Sequence, residues 1–495
     1  MTSVIFILFY NYLFFLGKTI CNFLAKYNET ISEISEDPQY SKFYPMVSLF
    51  TIGNLLVVLN FFIPLNRVQY PIFFLTLFLL VLNSKSLKFK INFEYLLKNI
   101  FFPGVLSISL YASRLHYDSG GYHLNNQLWI RESKLVIGLS NLIQNYGFSS
   151  INEYLSSVLW LQNNFVYIFF INLIFYVLYF TFLYDNLSQN SNLFLRNSSI
   201  ILILYSFLDN FGIGGGGNGS IYFQTIGKPD MPMSVLFIIS SLMIINSLKE
   251  KEYSSKSLYF YLYMVFFTIQ IKLFGVYLFI LLGSYLFFYL RENKQNLLNI
   301  ISKNKPIVTI SAIWLAKNIL ISGCLFYPVE ITCIPALSWY EKGDASELQS
   351  NISIVFTREY FIKWFENPIV IQIYSNFLIS LLLLTLISFV MFKKSKIENR
   401  NVNFIFIFYL SVITLSWILT SPKPRWGVPV FTLWIIFYTL FTKNTRFKFS
   451  SIYKSISLIL IFSVLLTPRA YSYQYLLTNT DMFTENYKVE APIVE

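Results

Sequence analysis

The sequence predicts an all-α fold: a polytopic transmembrane helical bundle with two large loops on one side. Three observations carry this. Hydrophobic residues make up 55% of the 495 and charged residues only 13%, against about 25% charged in soluble domains. Apolar runs recur along the whole chain, many near the roughly 17–25 residues that cross a bilayer. Short basic clusters separate alternate runs. Together they exclude a soluble multidomain enzyme, a disordered chain and a secreted disulfide scaffold. With 52 Phe and 36 Tyr, no single aromatic carries functional weight by its type alone.

By the length a span requires, about fourteen segments qualify. They run over 1–20, 46–63, 68–83, 99–113, 163–184, 199–211, 233–248, 257–271, 273–290, 307–322, 370–392, 403–419, 427–442 and 455–468. The pairs 46–63/68–83 and 257–271/273–290 are the closest splits, and 199–211 is short enough to be tilted or re-entrant. Nothing basic precedes Val4 and no A-x-A-like site follows Leu16, so the first segment reads as an uncleaved span with its N-terminus outside. No internal repeat and no soluble domain is visible, so residues 1–495 form a single transmembrane domain.

Orientation follows Lys and Arg. The stretches 85–98, 185–198, 249–256, 291–305, 393–400 and 443–454 are denser in both than 114–160, 209–232, 270–273, 323–368, 420–426 and 469–495. The first set is therefore cytoplasmic. The loop 20–45 belongs with it despite Glu29, Glu33, Glu36 and Asp37, because acidic residues count little in this rule. The net charge of +12 is then topogenic and calls for no nucleic-acid partner. The outward loops 114–160 and 323–368 are longer than a transporter needs and suit an enzyme working at an outer membrane face.

The first loop opens Arg114-Leu-His116-Tyr117-Asp118-Ser119-Gly120-Gly121-Tyr122-His123, which holds both histidines of the protein. Gly120 and Gly121 let the chain turn beside the Asp118 carboxylate. At a membrane–water boundary such a carboxylate suits a general base. The competing reading, a solvated Asp in a structural turn, leaves the clustered histidines unexplained. His116, Asp118 and His123 lack the spacing of a helical ligand pair and have no nearby Cys, so no metal is assigned. Trp129, Arg131 and Glu132 follow on an expected interfacial helix.

Basic residues also recur at the outer ends of spans: Arg114, Lys272, Lys317 and Arg425. An intramembrane charge is a functional hypothesis by default. The competing readings are snorkelling to headgroups and pairing with Asp209 or Asp230. Several cations at one depth would suit a lipid-linked phosphate. The run Gly212-Ile-Gly214-Gly-Gly-Gly217-Asn218-Gly219 lacks the ending of a P-loop and reads as a flexible loop. Lys228-Pro229-Asp230 leads back into the membrane, with Asp230 as a helix cap or a substrate contact. Cys324 and Cys333 share the second loop and are expected to bridge in an oxidising compartment, leaving Cys21 over.

Taken in order, these stretches resemble the GT-C class of integral membrane glycosyltransferases, which use polyprenyl-phosphate-linked sugars, and within it a group of bacterial multi-pass proteins. The resemblance rests on Asp118 through Trp129 with Gly138-Leu-Ser-Asn141, on Lys228-Pro-Asp230, Ile271-Lys272-Leu273 and Lys317-Asn318, on Ser322-Gly323 with Tyr327-Pro328, and on Ser421-Pro422 through Arg425-Trp426-Gly427. It implies a GT-C-like bundle in the bacterial inner (cytoplasmic) membrane, with Asp118 as the catalytic base and no cofactor. It implies contacts to donor and acceptor from Arg114, His116, Tyr122, His123, Trp129, Asp230, Lys272, Lys317 and Arg425. The partners would be the lipid bilayer, a polyprenyl-phosphate-linked sugar donor and a glycan, lipid or protein acceptor. Ser119 stands where many such enzymes carry a second acidic residue, which points away from a metal-dependent mechanism. Lys423 stands where an acidic residue is expected. One rival is an envelope-polysaccharide polymerase or ligase centred on Arg358 and Lys363. Others are a transporter or flippase of lipid-linked oligosaccharides and a non-catalytic scaffold.

Overall fold

The computed structural model describes residues 1–83, 92–108, 118–161, 164–188, 192–210, 229–294, 296–343, 345–348, 400–420 and 424–441, with isolated positions elsewhere. Side chains at 188, 207–210, 420, 424–426, 438 and 441 are not among those described. Every regular element in these residues is helical, and no strand occurs among them. In chain order the elements used below are α1 (Thr2–Ala25), α2 (Glu29–Glu36), α3 (Tyr44–Asn60), α4 (Gln69–Leu82), α5 (Phe102–Ser107), α6 (Leu124–Glu132), α7 (Ile151–Ser157), α8 (Phe169–Ser188), α9 (Leu193–Asn210), α10 (Asp230–Glu250), α11 (Ser255–Ile271), α12 (Leu278–Asn293), α13 (Leu297–Lys303), α14 (Lys305–Ser322), α15 (Arg400–Thr420) and α16 (Pro424–Phe437).

Among the described residues, seven helical segments are long and apolar enough to cross a membrane: Thr2–Ala25, Pro38–Asn60, Phe165–Leu187, Asp230–Glu250, Leu273–Asn293, Lys305–Ser322 and Arg400–Leu419. Three shorter apolar helices, Gln69–Leu82, Leu193–Ser206 and Gly427–Phe437, accompany them. The protein is thus an all-helical membrane protein. Both close splits are real: a turn at Leu65–Arg67 parts α3 from α4, and one at Leu273–Tyr277 parts α11 from α12. The segment expected at 99–113 is entered earlier, through Phe93–Leu96 and a π turn at Leu97–Phe101, before α5. Most of 370–392 and all of 455–468 lie outside the described residues.

Helices α8 and α10 form the core. Their sequences are apolar all round, which demands neighbours on every side. Helix α10 obtains them from α8, α9, α11, α12, α15 and α16. Ser234, Ser240, Ser241 and Ser247 are small enough for backbones to approach closely, and all are buried. Polar links join helices where water is absent. Ser241 pairs with the Tyr409 hydroxyl at 3.0 Å and Ser247 with that of Tyr261 at 2.6 Å. The amides of Asn54 and Gln270 bond each other reciprocally at 3.1 and 2.8 Å. Opposite the core, α4 exposes Phe73, Phe74, Phe78, Val81 and Leu82, an apolar face suited to lipid rather than water.

The two ends of the bundle gather different loops. One end brings together stretches of the basic set. Lys42 bonds Asp185 at 2.9 Å, Lys98 pairs with the same carboxylate, and Lys256 pairs with Asp37. Asn28 reaches the Lys303 carbonyl at 3.4 Å. The other end joins Asn60 to the first large loop, and that loop to Ile271 and Leu320.

Two expectations follow. A Cβ on Gly17 would lie 1.9 Å from the Tyr44 carbonyl oxygen, backbone against backbone. Gly17→Ala must push α1 off α3, an overpacking cost of about 1–3 kcal/mol. The thermal midpoint in detergent should fall, and an unchanged midpoint would show that this contact does not hold α1. The second concerns Asp37. Burial raises its pKa, but the bonds from Lys256 and Gln39 outweigh this and leave the carboxyl below its ordinary value of 3.8. A depressed carboxyl contributes stability that is present above the unfolded value and lost as pH falls through the folded one. Acid below about pH 3.8 should therefore loosen the link between the 20–45 loop and α11. Amide exchange across 28–43 reads this. Asp37→Asn should show the looser exchange already at neutral pH.

Candidate functional site

The first large loop is built on α6 and α7, which lie against each other. Asp118 occupies the position before a π turn, Ser119–His123, that runs straight into α6. Such turns insert one extra residue per turn and recur at functional sites. Here the turn brings Ser119 and His123 inward, at 0% and 7% exposure.

Helix α7 is short and wholly buried. Its Glu153 carboxylate faces α6 and the π turn. One oxygen meets His123 Nδ1 at 2.8 Å, and the other accepts from the Asn126 side-chain amide. The charge acts on its surroundings: burial and then Glu153 raise the Tyr146 hydroxyl pKa, and burial does so more strongly at Tyr154. Both phenols stay neutral.

Two adjacent serines fix α7 to the bundle. Ser150 caps the helix, its hydroxyl accepting from Asn152 N at 3.2 Å, and donates to the Ile271 carbonyl at 2.7 Å. Ser149 has φ 25°, a conformation rare for a residue with a side chain. That geometry lets its carbonyl and hydroxyl both accept from Lys317 Nζ, at 3.0 and 2.9 Å. Lys317 is 0% exposed. Its amine lies 3.4 Å from the Trp314 ring centroid and 5.6 Å from that of Tyr154, so aromatic faces share the charge.

Lys272, at the end of α11, forms an ion pair with Asp230, the first residue of α10. A carboxylate there also meets the positive end of the helix dipole. Because Ser150 holds the carbonyl of Ile271, this pair lies one residue from the link that anchors α7.

The second loop packs over the same end. Gly323 terminates α14 at φ +74°, and a Cβ there would lie 2.8 Å from Tyr340. The expected Cys324–Cys333 disulfide is formed. Gly138 N donates to the Leu320 carbonyl at 2.9 Å, and Ser140 Oγ to that of Ile321 at 3.1 Å. Asn141 donates to the Trp339 carbonyl and Trp339 Nε1 to that of Ile319, both at 2.9 Å.

The structure thus gathers His123, Trp129 and Lys317 around α7, with Asp118 at the head of the turn and Lys272–Asp230 alongside. The Tyr122 ring lies tilted against that of His123, ring centroids 4.0 Å apart. Trp129 lines a small cavity with Asn60, Asn126, Lys134, Ser149 and Tyr154. Arg114, His116, Arg358, Lys363 and the glycine run lie outside the described residues, as do the side chains of Asp209 and Arg425. Of the basic side chains expected at the site, two are described: Lys272 is paired with Asp230, and Lys317 is enclosed by Ser149 rather than by a carboxylate. Glu153, Asn126 and Ser149 were not expected. Ser150-Ile-Asn-Glu153 reads in sequence as a capping box, which hid the turn of Glu153 towards His123. Among the described residues no three His, Cys, Asp or Glu side chains gather as a metal ion would require.

Lys317→Met should keep the bundle folded, because removing a buried ammonium also removes the cost of burying it. Ser149 loses its partner, so cleavage between 143 and 150 by a broad-specificity protease should quicken, with the thermal midpoint near wild type. Unchanged cleavage would show that Lys317 does not anchor the loop.

No curated protein and no solved structure matches the chain. A family model described as a domain of unknown function, DUF8201, matches residues 1–432, nearly all of the helices set out above and both large loops, and the chain belongs to that family.

Proposed function

We propose that the protein is a GT-C-type glycosyltransferase of about fourteen spans that takes a sugar from a polyprenyl-phosphate-linked donor and passes it to an envelope acceptor. The reaction would occur at the outer face of a bacterial inner membrane. The observation that supports this most is the docking of an acid- and histidine-bearing loop onto one end of an apolar bundle, within reach of basic residues from the spanning helices. A lipid-linked donor must present its sugar at such a boundary, with its chain in lipid.

Asp118 takes the proton of the acceptor hydroxyl as that oxygen attacks the anomeric carbon. The bond from that carbon to the phosphate oxygen breaks, and the electron pair leaves with the polyprenyl phosphate. The configuration inverts. Lys272 stabilises the departing phosphate by exchanging its Asp230 partner for the new anion. Lys317 holds the loop in place through Ser149. Arg425, in the first turn of α16, is the remaining basic residue assigned to the phosphate.

The test uses the full chain in vesicles holding radiolabelled polyprenyl-phosphate sugars, followed by release of polyprenyl phosphate. Asp118→Asn should lower the rate by ~10²–10⁴, the usual cost of losing a general base, with unchanged insertion and thermal midpoint. Transfer at the wild-type rate by this variant removes Asp118 from the mechanism. No release by the wild type from any donor in the set would sink the transferase reading.

A further inference from the structure

Among the described residues of the first loop, four buried side-chain polar atoms have no hydrogen-bond partner: two belong to Asn152 on α7, and the other two are Ser119 Oγ and His123 Nε2. These last two sit on the single π turn that follows Asp118, four residues apart, so they face the same side of the helix. Native proteins seldom leave such groups unpaired, because each then forfeits its hydration without return. Two on one turn, beside the proposed base, mark a place that a ligand completes.

The chemistry of that ligand follows from Glu153. Asn126 donates to one carboxylate oxygen, so that oxygen is an acceptor. The other oxygen faces His123 Nδ1 at 2.8 Å. A carboxylate only accepts, so Nδ1 carries the hydrogen, and in the neutral ring Nε2 is left bare. His123 therefore offers an acceptor, and Ser119 offers a hydroxyl that both donates and accepts. The partner they fit is a pair of neighbouring alcohols, each able to donate and to accept.

We infer that Ser119 and His123 form a hydroxyl-binding subsite for a sugar, with Glu153 as the positioning residue that fixes the His123 tautomer. This rests on the transferase reading and deepens it: the subsite would hold a sugar ring with the reacting group towards Asp118.

The protein carries only two histidines, so the full chain labelled with ¹⁵N-histidine in nanodiscs gives two ring systems, assigned through His123→Asn. The wild type should show His123 with Nδ1 protonated and Nε2 bare at neutral pH. Glu153→Leu should lose this preference. Glu153→Gln, which keeps the shape and an acceptor, should retain most of it should the leucine variant misfold. Methyl glycopyranosides of glucose, galactose and mannose are then titrated as probes, and at least one should shift the Nε2 signal. Ser119→Ala should weaken that binding about fivefold to tenfold, the effect of one lost hydrogen bond, with a thermal midpoint equal to or above wild type. A merely structural serine would give the opposite pair of results. A protonated Nε2 in the wild type, or no shift with any glycoside, overturns the subsite whether or not transfer is seen. Glycoside binding with no donor turnover supports the subsite and counts against the transferase reading alone.

Discussion

Ser149 and Ser150 hold the first loop to two spanning helices at once, through Lys317 of α14 and Ile271 at the end of α11. The order of everything above them depends on that anchorage. With both serines fixed, α7 has one orientation, and Glu153 projects from it in one direction. His123 and Asn126 then find the carboxylate where α6 can supply both, one turn apart. The far side of α6 is secured separately. Asn60 donates to the carbonyls of Ile130 and Ser133, and Arg131 to that of Ser157. A loop in water would rely on apolar burial for this. At a membrane end little apolar area separates the docked from the undocked state, so directional polar bonds do the positioning. The left-handed backbone at Ser149 is part of that arrangement, since only there do its carbonyl and hydroxyl converge on one amine.

Lys317 shows how the bilayer sets the terms. A charged side chain in a span costs about 2.5–3.5 kcal/mol on insertion scales. A carboxylate or a phosphate is the obvious compensation. The structure uses two neutral oxygens and two aromatic faces instead. Lys272 is the converse case, a cation neutralised by Asp230 and able to act on an anion only by changing partners. The two lysines lie near the same anchorage, yet one is held by neutral acceptors and the other by an ion pair.

Most of the helices were legible because their signals are local. Apolar length gave the spans, and the turns at Leu65–Arg67 and Leu273–Tyr277 fall where polar residues interrupt the runs. The Cys324–Cys333 bridge was legible from spacing within one loop. The site was legible only in part. Clustered histidines pointed to the first loop as a candidate, but the partner of His123 lies thirty residues on, on α7. A Glu at the third position of a helix can turn back to its own cap or outward to a distant histidine, and only packing decides which is made. Lys317 was visible as an anomaly while its partner was not, because a serine in a loop announces nothing about the backbone angle that makes it a bidentate acceptor.

The two ends of the bundle differ in kind. At the basic end, loops are joined by ion pairs: Lys42 and Lys98 on Asp185, Lys256 on Asp37. Such contacts weaken with salt and with protonation, and they tolerate small displacements because Coulomb attraction is weakly directional. At the other end the joints described are mostly hydrogen bonds to backbone carbonyls, a disulfide and glycines that neighbouring rings keep small. These fail abruptly when geometry shifts by an ångström. A surface that only has to keep loops in place can use the first kind. One that must hold an acidic side chain, a histidine tautomer and an ion pair in fixed register needs the second. The placement of the stricter joints at the end carrying Asp118, His123 and Glu153 is therefore an independent physical reason to locate the chemistry there.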